Sequence, residues 1–309
     1  MIKYQEMPVF EALYNKDLQF VKKFVEMGGS PDLTNETGST LLHEAVHLGD
    51  LDLVKYLLAK GAKVNCLDSY GNTPMHVASI FGNQEVAKEL LHYGADIDPT
   101  SEARSWTPLM LAINESYTEM AEWLITQGAN MNHVDPEQGW TPLLVACEQG
   151  LKDISLRLIR KGVKVDAKLT GGDARGKYAI HLASYYGEVE IIRELLEQGM
   201  DINLMPEGGG LSALHWAVYN NHMDLMTFLL EQGADPNLPA GGFYNHRTPL
   251  HYAVSAVRYN MAELLLEYNG DPLQKDAEGR HPIDLILARI NDQKTSAYSR
   301  MLALLESYI

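Results

Sequence analysis

Cysteines and basic residues are both scarce in this sequence, and each scarcity excludes a class of protein. The 309 residues include two cysteines, Cys66 and Cys147, which are too few for a disulfide framework and favour a reducing compartment. Lysine and arginine number 25 against 41 aspartates and glutamates, which gives a formal net charge of −16. Because nucleic-acid binding needs concentrated basic residues, we expect no nucleic-acid partner.

Long apolar runs are also missing. No stretch reaches the roughly 18 uninterrupted apolar residues of a membrane span, and residues 1–6 lack the apolar run of a cleavable signal. The sequence therefore predicts no membrane insertion and a cytoplasmic location. The nucleus is one alternative, and the host cytosol is another if a bacterium exports the protein. Hydrophobic residues still make up 46% of the chain, so wholesale disorder is excluded.

A short element recurs along nearly the whole chain at a spacing of about 33 residues. In its clearest copies a threonine is followed directly by proline and, five residues after the threonine, by alanine. These copies begin at Thr73, Thr107, Thr141 and Thr248, and degenerate copies begin at Met7, Thr40, Tyr178, Ser212 and His281. Such regular spacing predicts one array of nine stacked repeats rather than two separate domains.

Each repeat has the pattern of two short helices. Threonine caps the first helix well, and proline suits its first position because it has no N–H to leave unpaired. The second helix carries an apolar pair, such as Leu57–Leu58, followed by a glycine that fits a left-handed C-cap. Glycine, as at Gly49, also forms the turn between the helices. Ser116, Asn221 and Val257 replace this glycine, so their turns are predicted to be less regular.

These motifs resemble the ankyrin repeat over about residues 3–309. The resemblance implies an all-α solenoid of stacked helix-loop-helix units with projecting β-hairpin loops. It divides one domain, 1–309, into an N-terminal capping repeat (1–37), seven internal repeats (38–278) and a C-terminal capping repeat (279–309). It also implies a non-enzymatic, monomeric adaptor that binds another protein.

In ankyrin proteins the variable positions of the hairpins and first helices project onto one concave face. Here those positions are rich in aromatic residues, although only 8% of the chain is aromatic. Because Trp, Tyr and Arg dominate binding hot spots, we expect a protein or peptide to dock there. The predicted protein-binding residues are Tyr70, Phe81, Trp106, Glu115, Trp140, Glu148, Arg175, Tyr185, Tyr186, Tyr219 and Tyr244. The rings of Trp106, Trp140 and Tyr185 are expected to point outward along one wall, which Trp216 and Tyr252 would border.

The predicted chemistry of the partner follows from the acidic residues of this face. Glu115 and Glu148 lie close in register to two tryptophans, so the partner is predicted to be basic. A sharper alternative is a methyl-lysine reader, because residues 139–142 with Glu148 are similar to part of the aromatic cage of certain histone-methyltransferase ankyrin arrays. Another alternative is a bacterial effector of the same fold that acts on a host protein.

Two further motifs invite a chemical interpretation. Residues 43–47 read His-Glu-Ala-Val-His, a pattern that can hold zinc in a hydrolase. However, His43 falls in the repeat slot of His76, His181, His215 and His251, where the resemblance implies a structural histidine, so the hydrolase is a distant alternative. Asn203, eight residues after Leu195, fits the pattern favoured by the asparagine hydroxylase of animal ankyrin repeats. We predict no catalytic residue, cofactor or metal.

Overall fold

The computed structural model describes residues 7–101, 105–172, 175–292 and 296–309. The chain divides into two compact units, Met1–Glu137 and Gln138–Ile309. Within the described ranges the regular structure is helical, and β pairing is limited to isolated bridges at Thr34–Thr40 and Lys168–Tyr178. The predicted all-α repeat architecture is therefore confirmed. No helix in this part of the chain is both long and apolar enough to cross a membrane.

The first unit consists of helix pairs, one pair for each repeat. Its helices are α1 (Met7–Tyr14), α2 (Leu18–Glu26), α3 (Leu41–His47), α4 (Leu51–Ala59), α5 (Pro74–Ile80), α6 (Gln84–His92), α7 (Pro108–Asn114) and α8 (Thr118–Thr126). The two helices of each pair contact one another, and the first helices α1, α3, α5 and α7 stack in sequence. The second helices α4, α6 and α8 form a parallel row behind them.

The second unit repeats this arrangement. Its helices are α9 (Pro142–Glu148), α10 (Lys152–Arg160), α11 (Ala179–Tyr186), α12 (Val189–Glu197), α13 (Ala213–Tyr219), α14 (Met223–Glu231), α15 (Pro249–Ser255), α16 (Tyr259–Glu267), α17 (Pro282–Asp292) and α18 (Ser296–Glu306). The first helices α9, α11, α13, α15 and α17 stack in order. The last pair is longer than the others, with 11 residues in each helix.

The repeat residues take the local roles that the sequence predicts. Thr73 Oγ1 accepts a hydrogen bond from the His76 N–H, and Thr107 and Thr141 cap α7 and α9 in the same way. The small residue five positions after the repeat start is fully buried, which lets neighbouring first helices approach closely; this holds for Ala45, Ala78, Ala112, Ala146, Ala183, Ala217 and Ala253. The predicted left-handed C-caps all have positive φ: Gly28, Gly61, Gly94, Gly128, Gly162, Gly199 and Gly233.

Buried histidines join each repeat to the next. In His76, Nδ1 accepts from the Thr73 N–H (3.0 Å), so Nε2 carries the proton and donates to the carbonyl of Trp106 (3.1 Å). The corresponding Nε2 donations are His43 to Asn72, His181 to Leu204, His215 to Arg247 and His251 to Arg280, at 2.9–3.1 Å. Burial lowers the pKa of all five histidines, and it lowers the pKa of His181 and His215 to about 4.

This geometry bears on the zinc motif at residues 43–47. Both ring nitrogens of His43 are engaged, since Nδ1 faces the Thr40 N–H and hydroxyl while Nε2 faces the Asn72 carbonyl. His47 lies on the surface and stacks on the Phe81 ring, with 4.4 Å between ring centroids. The two imidazoles therefore do not converge as a pair of free ligands, and the structural role implied for His43 accounts for its position.

The prediction of less regular turns at Ser116, Asn221 and Val257 is wrong. Their φ angles lie between 56° and 64°, next to the 64–77° of the glycines that occupy the same position in other repeats. The turn hydrogen bond is also the same, because Val257 N–H donates to the Val254 carbonyl as Gly49 N–H donates to that of Val46. The backbone pattern of the turn fixes φ whichever residue is present.

A strained valine offers a test of this turn. Val257 is β-branched and has a φ of 56°, a region that costs residues with a Cβ about 1–2 kcal/mol. Val257→Gly is therefore expected to raise the free energy of unfolding by about 1 kcal/mol, after the added chain entropy of glycine is subtracted. Urea unfolding followed by circular dichroism measures it. Asn221→Gly is the matched control with a smaller expected gain, because asparagine tolerates this conformation; a loss of stability in Val257→Gly would contradict the argument.

Candidate protein-binding surface

Aromatic side chains on the first helices of the second unit form a continuous row, which we name the aromatic ladder. It consists of Tyr186, Tyr185, Trp216, Tyr219 and Tyr252. Successive rings meet edge to face, with centroid separations of 5.1, 5.3, 5.9 and 5.9 Å. Edge-to-face contact is a geometry that the quadrupoles of aromatic rings favour. Each such pair contributes about 0.5–1.5 kcal/mol of stabilisation in addition to that from buried apolar area. The ladder is thus a packed array rather than a set of independent side chains.

The repeat itself produces this row. The ladder residues stand four, seven or eight positions after their repeat starts. Trp216 and Tyr219 are three residues apart on α13, a spacing that places two side chains on the same side of a helix. Stacking of α11, α13 and α15 then brings equivalent positions together. Tyr185 is 49% exposed and Tyr219 51%, so the row keeps large apolar faces open to solvent.

Polar contacts fix the backbone beneath the exposed rings. The Tyr186 hydroxyl donates to the Glu148 carbonyl (2.7 Å). The Tyr185 carbonyl lies 2.8 Å from the Asn220 amide nitrogen, which donates to it, and 2.9 Å from His222 Nε2. Arg258 donates to the Tyr219 carbonyl at 2.8 Å and also to that of Val218. A ladder held in this way loses little conformational entropy when it is covered.

Charged side chains lie close to the ladder and affect the pKa values of neighbouring groups. The Lys177 ammonium lies 5.6 Å from the centroid of the Trp216 ring, within cation–π range. Burial raises the pKa of Glu148, and the nearby Lys177 partly offsets that increase. At the far end, burial raises the pKa of the Tyr252 hydroxyl to about 12, against the opposing effect of Arg247. The indole N–H of Trp216 is buried and has no hydrogen-bond acceptor among the described residues.

Most of the predicted binding residues of the second unit border or form this surface. Tyr185, Tyr186 and Tyr219 belong to the ladder, and the backbone of Glu148 is bonded to its first ring. Tyr244 lies in a short 3₁₀ helix, Gly242–Tyr244, and is partly exposed, while Arg175 is exposed. Trp140 is half-buried, and its indole N–H donates to the Gln138 side chain (3.3 Å).

In the first unit, the predicted outward orientation of Trp106 is wrong, because this residue is only 6% exposed. It stands directly before a repeat start, and its carbonyl accepts the His76 Nε2–H, which holds the position against the preceding repeat. Leu211, at the corresponding position of a later repeat, is buried as well. Tyr70, Phe81 and Glu115 are exposed as expected.

The most exposed aromatic side chain among the described residues lies outside the predicted binding set. Phe243 is 95% exposed at the tip of a loop that is longer than in most repeats. The signal was available, since residues 239–247 combine two glycines with two adjacent aromatic residues. Trp216 and Tyr252 were expected only to border the surface, but both belong to the aromatic ladder itself.

The asparagine predicted as a hydroxylation site has a structural role. Asn203 Oδ1 accepts from the Asp235 N–H (2.9 Å) of the next loop. Asn65 and Asn237 make the same bond, to Asp96 and Asp271. These bonds join successive loops outside the helices. Hydroxylation of Asn203 stays a prediction.

The sequence matches the ankyrin-repeat family over residues 9–101, 98–169, 157–240 and 209–276. The comparison with curated proteins gives no match. The chain belongs to the ankyrin-repeat family, as its motifs predicted, and arrays of this kind serve generally as protein–protein interaction modules.

Proposed function

We propose that this protein is a non-enzymatic adaptor whose partner docks on the aromatic ladder of the second unit. The single observation that carries the proposal is the continuous row of five rings, in which Tyr185 and Tyr219 keep about half of their surface in contact with water. Exposed aromatic surface is unfavourable in water, and rigid tyrosine and tryptophan side chains are the residues that contribute most to binding energy.

Ladder removal tests the proposal. Peptides of about 12 residues are selected from a random display library on the full chain, and their affinities are measured by fluorescence anisotropy. We expect the double variant Tyr185→Ala/Tyr219→Ala to weaken binding about thirtyfold or more, because each hot-spot ring contributes about 1–2 kcal/mol. Circular dichroism should be unchanged, since both rings are half exposed.

The matched control is Tyr93→Ala, which removes a 40% exposed tyrosine just beyond the end of α6. Its peptide affinity should equal that of the unaltered protein. Unchanged affinity in the ladder double variant, with its helicity retained, would place the binding surface elsewhere. In that case Tyr70→Ala/Phe81→Ala tests the predicted residues of the first unit.

A second candidate occupant is a basic segment, including a methylated lysine. Burial and the nearby Glu148 carboxylate raise the pKa of Tyr186, and a carboxylate close to an aromatic ring favours a cation. Arrays of lysine peptides with zero to three methyl groups measure this preference. Equal binding of all four forms would remove the methyl-lysine function.

A further inference from the structure

We infer that the segment that docks on the aromatic ladder is acidic, with carboxylates placed against Lys177 and Arg258. This inference rests on the proposed function, because it names the chemistry of the partner at the same surface. It departs from the basic partner that the net charge of −16 favours for the chain as a whole. The local distribution of charge, rather than the net charge of the chain, determines which segment binds to the ladder.

Several lysines and arginines of the second unit form ion pairs with carboxylates. Away from the ladder, Lys152 pairs with Glu190 and Arg160 with Glu194 at 2.5 and 2.7 Å. Lys168 pairs likewise with Glu207.

The cations beside the ladder differ from these. Among the described residues Lys177 makes no ion pair within 4 Å, and its ammonium faces the Trp216 ring instead. Arg258 spends its guanidinium donors on two backbone carbonyls, which satisfies hydrogen bonds but leaves its charge uncompensated. Lys177 and Arg258 therefore bring positive charge to the exposed rings without an ion pair within 4 Å among the described residues.

The nearby carboxylates do not cancel this charge. Asp276 is buried and is shared by Arg247 (3.5 Å) and Arg280 (2.9 Å), so one carboxylate serves two guanidinium groups. Glu148 lies near Lys177 without forming an ion pair within 4 Å among the described residues. An extended peptide with Asp or Glu beside apolar residues would fit both the exposed rings and the cations. Its apolar side chains would cover the rings while its carboxylates approach the cations.

Three peptide libraries of about 12 residues test this inference. They are identical except that four spaced positions are fixed as Glu, as Gln or as Lys, and each is titrated against the full chain by anisotropy. We expect the Glu library to bind about tenfold more tightly than the Gln library at low salt, with the difference shrinking as salt screens the charges. Preferential binding of the Lys library would overturn the inference.

Single-charge variants locate the effect. Lys177→Gln is expected to weaken binding of the Glu library roughly threefold to fivefold, without changing binding of the Gln library. Lys161→Gln, which alters an exposed lysine at the end of α10, is the matched control with no expected change. Equal Glu-library affinity for Lys177→Gln and the unaltered protein would overturn the inference.

The ring variants separate this inference from the proposed function. If Tyr185→Ala/Tyr219→Ala weakens binding of all libraries while Lys177→Gln has no effect, the ladder binds but the acidic preference is wrong. If the ring variant leaves every library unaffected, the proposed function itself fails. Sedimentation of the full chain tests whether a second copy of the protein occupies the ladder instead. Self-association that the ring variant abolishes would show this and would overturn the inference of an acidic segment.

Discussion

Acidification from pH 7 to pH 4.5 is expected to destabilise the second unit through two buried histidines, His181 and His215. Both side chains are essentially without solvent exposure, and burial lowers their pKa to about 4. An unfolded histidine titrates near 6.5. Between these two values the unfolded chain binds protons that the folded chain does not bind. The free energy of unfolding therefore falls as the pH falls through this window, and the contribution of the two histidines is fully present above it.

The expected effect is large for a single residue. A difference of about 2.5 pKa units corresponds to roughly 3 kcal/mol for each histidine once the window has been crossed. The physical cause is twofold: protonated imidazole would be buried without a counter-charge, and Nδ1 would have to release the hydrogen bond that it accepts. In His215, Nδ1 accepts hydrogen bonds from the N–H and the hydroxyl of Ser212, at 3.3 and 2.7 Å.

Comparison of variants isolates this effect from the titration of the many carboxylates. His215→Gln keeps an amide donor for the Arg247 carbonyl but cannot gain a proton. The variant is expected to be less stable at pH 7, yet to lose about 2–3 kcal/mol less than the unaltered protein between pH 7 and pH 4.5. Urea unfolding at several pH values, followed by tryptophan fluorescence, gives the difference.

His92→Gln is the control, because His92 is exposed at the end of α6. Its loss of stability on acidification should equal that of the unaltered protein. The same acid sensitivity in His215→Gln and the unaltered protein would mean that burial of this imidazole is not what limits stability at low pH.

Gly176→Ala is expected to destabilise the second unit by about 3 kcal/mol or more. Gly176 has a φ of +79°, which alone costs an alanine about 1–2 kcal/mol. In addition, a Cβ at this position would lie 2.3 Å from the backbone nitrogen of Glu207 and 2.6 Å from its carbonyl oxygen. Backbone atoms of a neighbouring loop cannot rotate away as a flexible side chain can, so the two loops would have to separate.

Gly199→Ala provides the matched control. Gly199 has a similar φ of +88°, but a Cβ there meets no atom within 4 Å. This control should therefore show the conformational cost alone, about 1–2 kcal/mol. The comparison uses urea unfolding of both variants. Equal destabilisation of the two would show that close approach of the loops contributes nothing.

Much of the fold could be predicted from local residues. Threonine caps, proline at the first helical position and glycine C-caps act through bonds within a few residues, so Thr73, Pro74 and Gly94 can be interpreted without knowledge of the rest of the chain. The histidine slot could be predicted from the register of His43 and His76. The predicted division of one domain into nine repeats stays a prediction.

The candidate site was less predictable. Position in the repeat correctly indicated exposure for Tyr185 and Tyr219, yet it failed for Trp106, which is buried. The regular turn at Val257 could not be predicted from residue type, because the surrounding backbone hydrogen bonds impose its positive φ. Residue preference alone therefore predicted neither position.

By itself, the sequence determined the repeat, its two helices, their caps and the family, because these depend on short-range geometry repeated in phase. Only the tertiary structure decided which aromatic rings meet water and which cations lack a carboxylate partner. Exposure depends on the neighbouring repeats, since Trp106 is buried and Tyr219 is half exposed although both stand at variable positions of the repeat. The aromatic ladder is therefore a property of stacked helices α11, α13 and α15 together.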